Sequence, residues 1–265
     1  MDPIRVVVNG ALGKMGREIT KAVVCEPGLK LVGAVEKEVA QRYLPLAESL
    51  ELIPFSSNLG SLLKNCNADV VVDFTNAEAS LAAARIAVKQ KVNMVVGTTG
   101  LSEENLAEIE QLCIANGVGV IVAPNFSLGA ALLIHLSKFA AKFFNYAEII
   151  EMHHDKKDYA PSGTAIATAR AMLQTRSKAF IYPEVKREIL KNTRGGKMNG
   201  IAIHSLRSPG FMAGEEVIFS GARETLSLRY TTIDRECYLS GIILAVNEVI
   251  KRKGLIYGLD SLLEL

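Results

Sequence analysis

The side chains best suited to chemistry are concentrated between residues 151 and 164, in the run EMHHDKKDYAPSGT, which contains two of the four histidines of the chain. Imidazole titrates near neutral pH, so a histidine here could protonate a carbon atom that receives a hydride. His153 and His154 would point to opposite faces of a strand, which favours one of them for this role. Lys157 supplies a fixed positive charge for a carboxylate or a developing anion.

A predicted helix begins directly after these side chains, at Pro-Ser-Gly-Thr. The first N–H groups of a helix lack partners within the helix and attract anions. The backbone of Gly163 and Thr164, with the Thr164 hydroxyl, therefore predicts a second anion site. Together with the histidines and the lysine, it indicates a pocket for a small dicarboxylate substrate.

Two other interpretations of this region are open. A charged loop before a helix is often only a solvated surface. Glu151, His153 and Asp155 could instead be metal ligands, but no second cluster completes a coordination sphere, so no metal is expected. The residues that a solvated loop would explain are His154, Asp155, Lys156 and Asp158.

The run GALGKMG, from Gly10 to Gly16, lies where a β-branched run ends and a helical pattern begins. Glycines there allow a tight turn and a close approach of a pyrophosphate to a helix N-terminus, although helix–strand packing alone could also require them. Glu36 lies at the end of the next strand, where a carboxylate can bind the ribose of a dinucleotide. Lys37 could accept a 2′-phosphate, so NADPH as well as NADH is expected. The loops 97–99 and 123–126 could line the nicotinamide half, or be ordinary turns.

These loops need a scaffold. Apolar runs at 4–9, 29–36, 68–74, 92–96 and 118–122 alternate with helical patterns, which predicts parallel βαβ units in a Rossmann-type α/β domain. After residue 125, the runs 147–154, 201–207 and 216–233 alternate in polarity, with a helix at 163–173 and a loop at 175–200. This predicts a smaller α+β domain with a mixed or antiparallel sheet. We expect a dinucleotide-binding domain at 1–125, completed by 236–265, and a substrate-binding and oligomerisation domain at 126–235.

Composition excludes several classes of partner. The 265 residues are 49% hydrophobic and 22% charged, with a formal net charge of +2, so a nucleic-acid partner is not expected. Pro124 and Asn125 divide the most apolar stretch, 117–137, into a strand and a helix rather than a membrane span. The start of the chain lacks the pattern of a signal peptide. We therefore expect no membrane partner and a cytoplasmic location.

The motifs VNGALGKMG, DFTNAE, VVGTTG and APNFSLG, and above all EIIEMHHDKKDYAPSGTA, resemble the 4-hydroxy-tetrahydrodipicolinate reductases of bacterial and plant lysine biosynthesis, also called dihydrodipicolinate reductases. The resemblance covers the whole chain. It implies the reduction of 4-hydroxy-tetrahydrodipicolinate to tetrahydrodipicolinate with loss of water, on the diaminopimelate route to lysine. It also implies a homotetramer built through the sheet of the second domain, and the plastid stroma as the location if the source is a plant.

Site roles follow from the same resemblance. His153 would be the proton donor or acceptor, Lys157 a second donor that also binds a carboxylate, and His154 a substrate contact. Gly163 and Thr164 would hold the other carboxylate. The implied contacts of NADPH or NADH are Gly10, Ala11, Leu12, Gly13, Lys14, Met15, Glu36, Lys37, Gly97, Thr98, Thr99, Ala123, Pro124, Asn125 and Phe126.

Two rival functions use the same first domain. One is another two-domain dehydrogenase, such as a semialdehyde or homoserine enzyme. Semialdehyde chemistry needs a nucleophilic cysteine, and Cys113, near the middle of the chain, lies within a predicted helix. The other is a sensor that binds NAD(P)H without catalysis, which would have little use for a proton donor beside an anion pocket.

Overall fold

The computed structural model describes residues 2–44, 46 and 51–263, and these form two compact units. The first unit contains the described residues up to Phe126 together with those from Tyr238 onward. The second unit is Ser127–Cys237. No helix in the described part of the chain is long and apolar enough to cross a membrane.

The first unit is built on an eight-stranded sheet with the order β13-β7-β6-β5-β1-β2-β4-β3. All neighbouring strands are parallel except β3 and β4. The prediction of a Rossmann-type parallel sheet is therefore confirmed. The strands are β1 Ile4–Asn9, β2 Leu29–Val35, β3 Tyr43–Leu44, β4 Ile53–Ser56, β5 Val70–Asp73, β6 Asn93–Val96, β7 Gly119–Val122 and β13 Gly254–Tyr257. The helices are α1 Lys14–Cys25, α2 Leu59–Asn65, α3 Ala77–Lys89, α4 Glu103–Asn116 and α7 Leu239–Val249.

Both faces of this sheet are buried, which explains why its central strands are apolar without alternation. Val7 and Val71 pack into a core with α2, α3 and α4, while their neighbours Val8 and Val72 are equally buried from the other side. The chain proceeds from β1 to β2 and β4 in one direction and from β5 to β6 and β7 in the other. The connections that follow β1 and β5 therefore run in opposite directions from the carboxyl ends of these adjacent strands. Open α/β sheets bind their ligands at such a point.

The sequence patterns did not predict β3, β4, α2 or β13. They also missed the strand β9 Gly196–Met198, which lies in the predicted loop 175–200. β4 has four residues and contains Pro54, and β13 is an edge strand that pairs only with β7 in the sheet order. Such short segments carry a weak local signal, because their stability comes from pairing with a neighbouring strand.

The second unit has a five-stranded sheet with the order β12-β11-β8-β10-β9, in which only β8 and β10 are parallel. The predicted mixed sheet is thus confirmed. Its core joins residues of two helices to one face of the sheet, including Leu133, Ile149, Met172 and Val217. The elements are α5 Leu128–Ala140, β8 Tyr146–His153, α6 Gly163–Gln174, β9 Gly196–Met198, β10 Ile201–Arg207, β11 Ala213–Ser220 and β12 Thr225–Thr232.

Candidate active site

A buried carboxylate holds His153 in place. Glu151 and His153 are two residues apart on β8, so their side chains share one face of the sheet. The Glu151 side chain is fully buried, and its Oε2 lies 2.5 Å from Nδ1 of His153. Arg207, at the end of the neighbouring strand β10, donates to the two carboxylate oxygens at 3.0 and 2.8 Å. The three side chains form a hydrogen-bonded cluster at the ends of two parallel strands.

The charge state of Glu151 determines which nitrogen of His153 can react. Burial by itself raises the pKa of Glu151, but the hydrogen bonds from His153, Arg207 and Ser205 outweigh it and lower that pKa to about 2. An ionised carboxylate only accepts hydrogen bonds, so Nδ1 of His153 carries the hydrogen of this contact. Nε2 is then the nitrogen that can exchange a proton with a substrate.

The loop after β8 is tied to the same guanidinium. Arg207 also donates to the carbonyl oxygen of Tyr159 at 2.7 Å. The Tyr159 ring lies beneath the Lys157 ammonium, whose Nζ is 3.7 Å from the ring centroid. His154 directly follows β8 and is half-buried, and its buried Nδ1 has no hydrogen-bond partner among the residues that the structure describes. Lys157 and His154 thus lie in the single strand-to-helix connection that follows His153.

That connection ends at a capped helix. The Ser162 side chain accepts a hydrogen bond from the Ala165 N–H at 3.1 Å, which fixes the start of α6. Gly163 is exposed, and outside its chain neighbours and its own helix backbone no atom lies within 4 Å of the position that a Cβ would take there. The space beside Gly163 and Thr164 can therefore receive a ligand at the positive end of the helix.

Sequence reasoning missed Arg207 and considered Glu151 only as a possible metal ligand. Polarity alternation along β10 places Arg207 on a face with Ser205, but nothing local reveals that β10 pairs with β8. In the described part of the chain, no group of three or more His, Cys, Asp or Glu residues could hold a metal ion. Both oxygens of Glu151 are engaged by protein donors.

The glycines of the first turn are required by close backbone approaches. Gly10 has a φ of +80°, which L side chains rarely adopt. A Cβ on Gly16 would lie 1.9 Å from the Gly10 carbonyl oxygen. Glu36 is linked to this turn, since its carboxylate accepts the N–H groups of Leu12 and Lys37, each at 3.0 Å. A cavity of about 560 Å³ opens here, and its lining includes Gly10, Gly13, Glu36, Lys37, Asn58 and Thr75.

A buried carboxylate joins the loops around this crevice. Asp73 ends β5 and is completely buried. It accepts hydrogen bonds from Asn9 at 2.5 Å, from the Thr75 hydroxyl at 2.9 Å and from Thr98 at 3.3 Å, and another from the Ser80 hydroxyl. Asn9 ends β1, Thr75 follows β5 and Thr98 follows β6, so Asp73 sets the relative positions of the loops after these three strands.

The remaining cofactor candidates lie on loops after β6 and β7 and differ in exposure. Thr99 and Pro124 are exposed, and Gly97 is packed so closely that a Cβ would lie 2.1 Å from the Phe74 ring. Phe126 is 2% exposed and packs against Phe74 with tilted rings, whose centroids are 5.5 Å apart. The buried candidates can offer a ligand only backbone atoms, and these are Thr98, Ala123 and Phe126.

Comparisons with known proteins point to one family over the whole length of the chain. The family model for the N-terminus of dihydrodipicolinate reductase matches residues 4–126, and the model for its C-terminus matches residues 129–263. The chain belongs to the dihydrodipicolinate reductase family. It is 49% identical over 265 residues to the 4-hydroxy-tetrahydrodipicolinate reductase of Dehalococcoides mccartyi, covering 100% of both chains. It is 44% identical over 263 residues to that of Moorella thermoacetica, covering 98% of each.

A solved structure supports the same assignment. A dipicolinate-bound dihydrodipicolinate reductase from Paenisporosarcina sp. TG-14 superposes with a TM-score of 0.90 at 34% identity, over 98% of this chain and 100% of that one. An amine dehydrogenase from Mycobacterium smegmatis, at 14% identity and a TM-score of 0.67, shares the fold alone. As a dihydrodipicolinate reductase, the chain is an oxidoreductase that uses a nicotinamide cofactor on a small-molecule substrate, and the reductase step of lysine biosynthesis is its reaction.

The structure also bears on the semialdehyde dehydrogenase alternative. Cys113 lies in α4 with no exposed surface. Burial, with a smaller contribution from Glu110, raises the pKa of its thiol to about 11. A nucleophilic cysteine must be a thiolate that a substrate can reach, so Cys113 cannot serve that chemistry.

Proposed function

We propose that His153 is the proton donor when this chain reduces 4-hydroxy-tetrahydrodipicolinate, and that Lys157, Gly163 and Thr164 bind its carboxylates, with His154 as a further contact. The observation that carries this proposal is the contact of His153 with the ionised Glu151, which directs Nε2 to the reaction. A relative solved with dipicolinate supports a dicarboxylate site.

The reaction consumes one proton and one hydride, and releases water and the oxidised cofactor. The nicotinamide, when bound, supplies the hydride. His153 gives the proton from Nε2, and Glu151 stabilises the protonated ring before the transfer, much as a carboxylate orients a catalytic histidine in hydrolases. Lys157 binds one substrate carboxylate and serves as the second proton donor. The start of α6 binds the other carboxylate through the N–H groups of Gly163 and Thr164.

Both NADPH and NADH are proposed cofactors. Glu36 is in reach of the glycine turn and suits the ribose hydroxyls, while the exposed Lys37 beside it offers a charge for a 2′-phosphate. The proposed contacts with the rest of the cofactor are the backbone and exposed side chains of the segments 10–15, 97–99 and 123–126. Lys37→Ala should raise the KM for NADPH several-fold and leave that for NADH unchanged.

A homotetramer in the cytoplasm completes the proposal. The face of the second sheet opposite α5 and α6 carries Ile150, Leu206 and Ile218, and Leu206 is 40% exposed. The same face also carries the ion pair of Glu148 with His204, and a face of apolar and polar residues suits packing against a second copy. Leu206→Glu should shift the assembly to smaller species in sedimentation, and an unchanged tetramer would place the interface elsewhere. The bacterial sources of the relatives favour the cytoplasm over a plastid.

The test follows the absorbance of NADPH or NADH while a synthase makes the substrate from pyruvate and aspartate semialdehyde. His153→Ala and Lys157→Ala should each lower kcat by roughly 10²–10⁴-fold with cofactor binding intact. Lys156→Ala is the matched control, because Lys156 is exposed in the same loop. Tight cofactor binding without turnover by the unaltered protein would instead favour the sensor alternative.

A further inference from the structure

A second buried glutamate lies beside the Glu151 cluster. The antiparallel pairing of β11 with β8 places Glu215 directly opposite Glu151. Opposed residues on neighbouring strands have their side chains on the same face of the sheet, with Cβ atoms about 5 Å apart. Glu215 is 1% exposed and Glu151 is not exposed at all. Among the residues that the structure describes, neither carboxyl oxygen of Glu215 has a hydrogen-bond partner.

Among the described residues, no cation contributes to the electrostatic surroundings of Glu215. Tyr230 is opposite it on β12. The Thr168 hydroxyl approaches Glu215 from α6 and donates to the Thr164 carbonyl oxygen at 3.0 Å. The buried residues of α5 and α6 are uncharged. Arg207 and His153 both direct their contacts to Glu151, which is thus the charged group that faces Glu215.

Two carboxylates side by side in a buried pocket with one guanidinium repel each other, so the ionisation of both at neutral pH is unfavourable. The partners here decide which one holds the proton. Burial raises the pKa of Glu215 to about 7, with the Glu151 charge adding to the rise and the Thr168 hydroxyl opposing it. Glu151, with its two donors, stays ionised. Glu215 is therefore the carboxyl whose charge changes in the range where such an enzyme works.

We propose that Glu215 is a positioning residue for this reaction. When Glu215 is uncharged, the Glu151 carboxylate is shared between Arg207 and His153. When Glu215 is ionised, its negative charge makes the cluster hold the His153 proton more strongly. This role rests on the proposed function of His153. Glu151 and Arg207 balance each other, so one extra negative charge acts on the imidazolium without a compensating cation. Glu215 touches neither substrate nor cofactor in this role and acts through Glu151.

Glu215→Gln keeps the shape of the side chain and removes its charge at every pH. In the unaltered protein, the ionisation of Glu215 helps to retain the proton on His153 as the pH rises. Because the variant lacks this ionisation, the alkaline limb of its kcat/KM profile should shift to a pH about 1 unit lower. The NMR titration of the His153 ring should move in the same direction, and this readout needs no turnover. Glu224→Gln, in the exposed turn between β11 and β12, is the matched control and should move neither.

An unchanged limb together with an unchanged His153 titration in Glu215→Gln would overturn the proposal. If that variant does not fold, the unaltered protein with carbon-13-labelled glutamate carboxyls gives the decision. One carboxyl titrating near neutral pH is expected, and the absence of any that titrates above about pH 6 overturns the proposal. A shifted His153 titration in a protein without turnover would reject the proposed function while leaving the coupling of Glu215 to His153 in place.

Discussion

Removing the charge of Glu151 should destabilise the second unit, and by an amount that depends on pH. In Glu151→Gln the amide still fills the space of the carboxylate, but it presents an NH₂ group where Arg207 or His153 donates. The Arg207 side chain is only 20% exposed and would keep its charge without a counterion. Breaking a buried ion pair by removing one partner leaves such an uncompensated charge and is strongly destabilising.

The magnitude follows from the pKa of Glu151. A pKa of about 2 instead of the ordinary 4.5 corresponds to roughly 3 kcal/mol of stabilisation by the ionised form. Because the pKa is lowered in the folded state, this contribution is present above pH 4.5 and is lost as the pH falls from 4.5 toward 2. The variant should therefore be about 3 kcal/mol less stable than the unaltered protein at pH 7, and the difference should shrink below pH 4.

Amide hydrogen exchange of β8 and β11 is the appropriate assay, since it reports opening of the second unit by itself. Urea unfolding at pH 7 and pH 3, followed by circular dichroism, provides a second measure. Glu224→Gln serves as the control for loss of one exposed glutamate. A stability difference under about 1 kcal/mol at pH 7, or one that is the same at both pH values, would refute the role assigned to the cluster.

Three further predictions concern other positions. Gly97→Ala should weaken cofactor binding about tenfold or more, because its Cβ would displace the Phe74 ring. Gly28→Ala, with open space around its Cβ, should not change cofactor binding. Equal affinities of the two variants in fluorescence titrations would contradict this prediction. Gly163→Ala should leave stability unchanged and raise the substrate KM, and an unchanged KM would count against an anion site there. The free energy of unfolding of Glu215→Gln, relative to that of the unaltered protein, should rise by roughly 3 kcal/mol from pH 4.5 to pH 7, because the raised pKa of Glu215 disfavours the folded state of the unaltered protein as the pH rises. A difference in urea unfolding that stays constant over this range would contradict the prediction.

Local patterns in the sequence were sufficient for most elements and for the segments that carry the site. The predicted helix 163–173 is observed one residue longer, as Gly163–Gln174, since Ser162 caps it and its buried residues recur at helical spacing. The strand-to-helix connection with His153 and Lys157 could be recognised for the same reason: reactive side chains, a helix cap and a strand end are adjacent in the chain. Short strands such as β4 were missed, because neighbours rather than their own residues stabilise them.

The sequence by itself determined the two kinds of sheet, the glycine turn after β1 and the reactive run from His153 to Thr164, because each depends on residues within about a dozen positions of one another. Only the tertiary structure decided which groups act on His153. Arg207 reaches Glu151 across 56 positions of the chain, and Glu215 lies opposite it on another strand. Strand order and register bring these charges together, and the burial that results sets their protonation; neither is encoded in any local pattern.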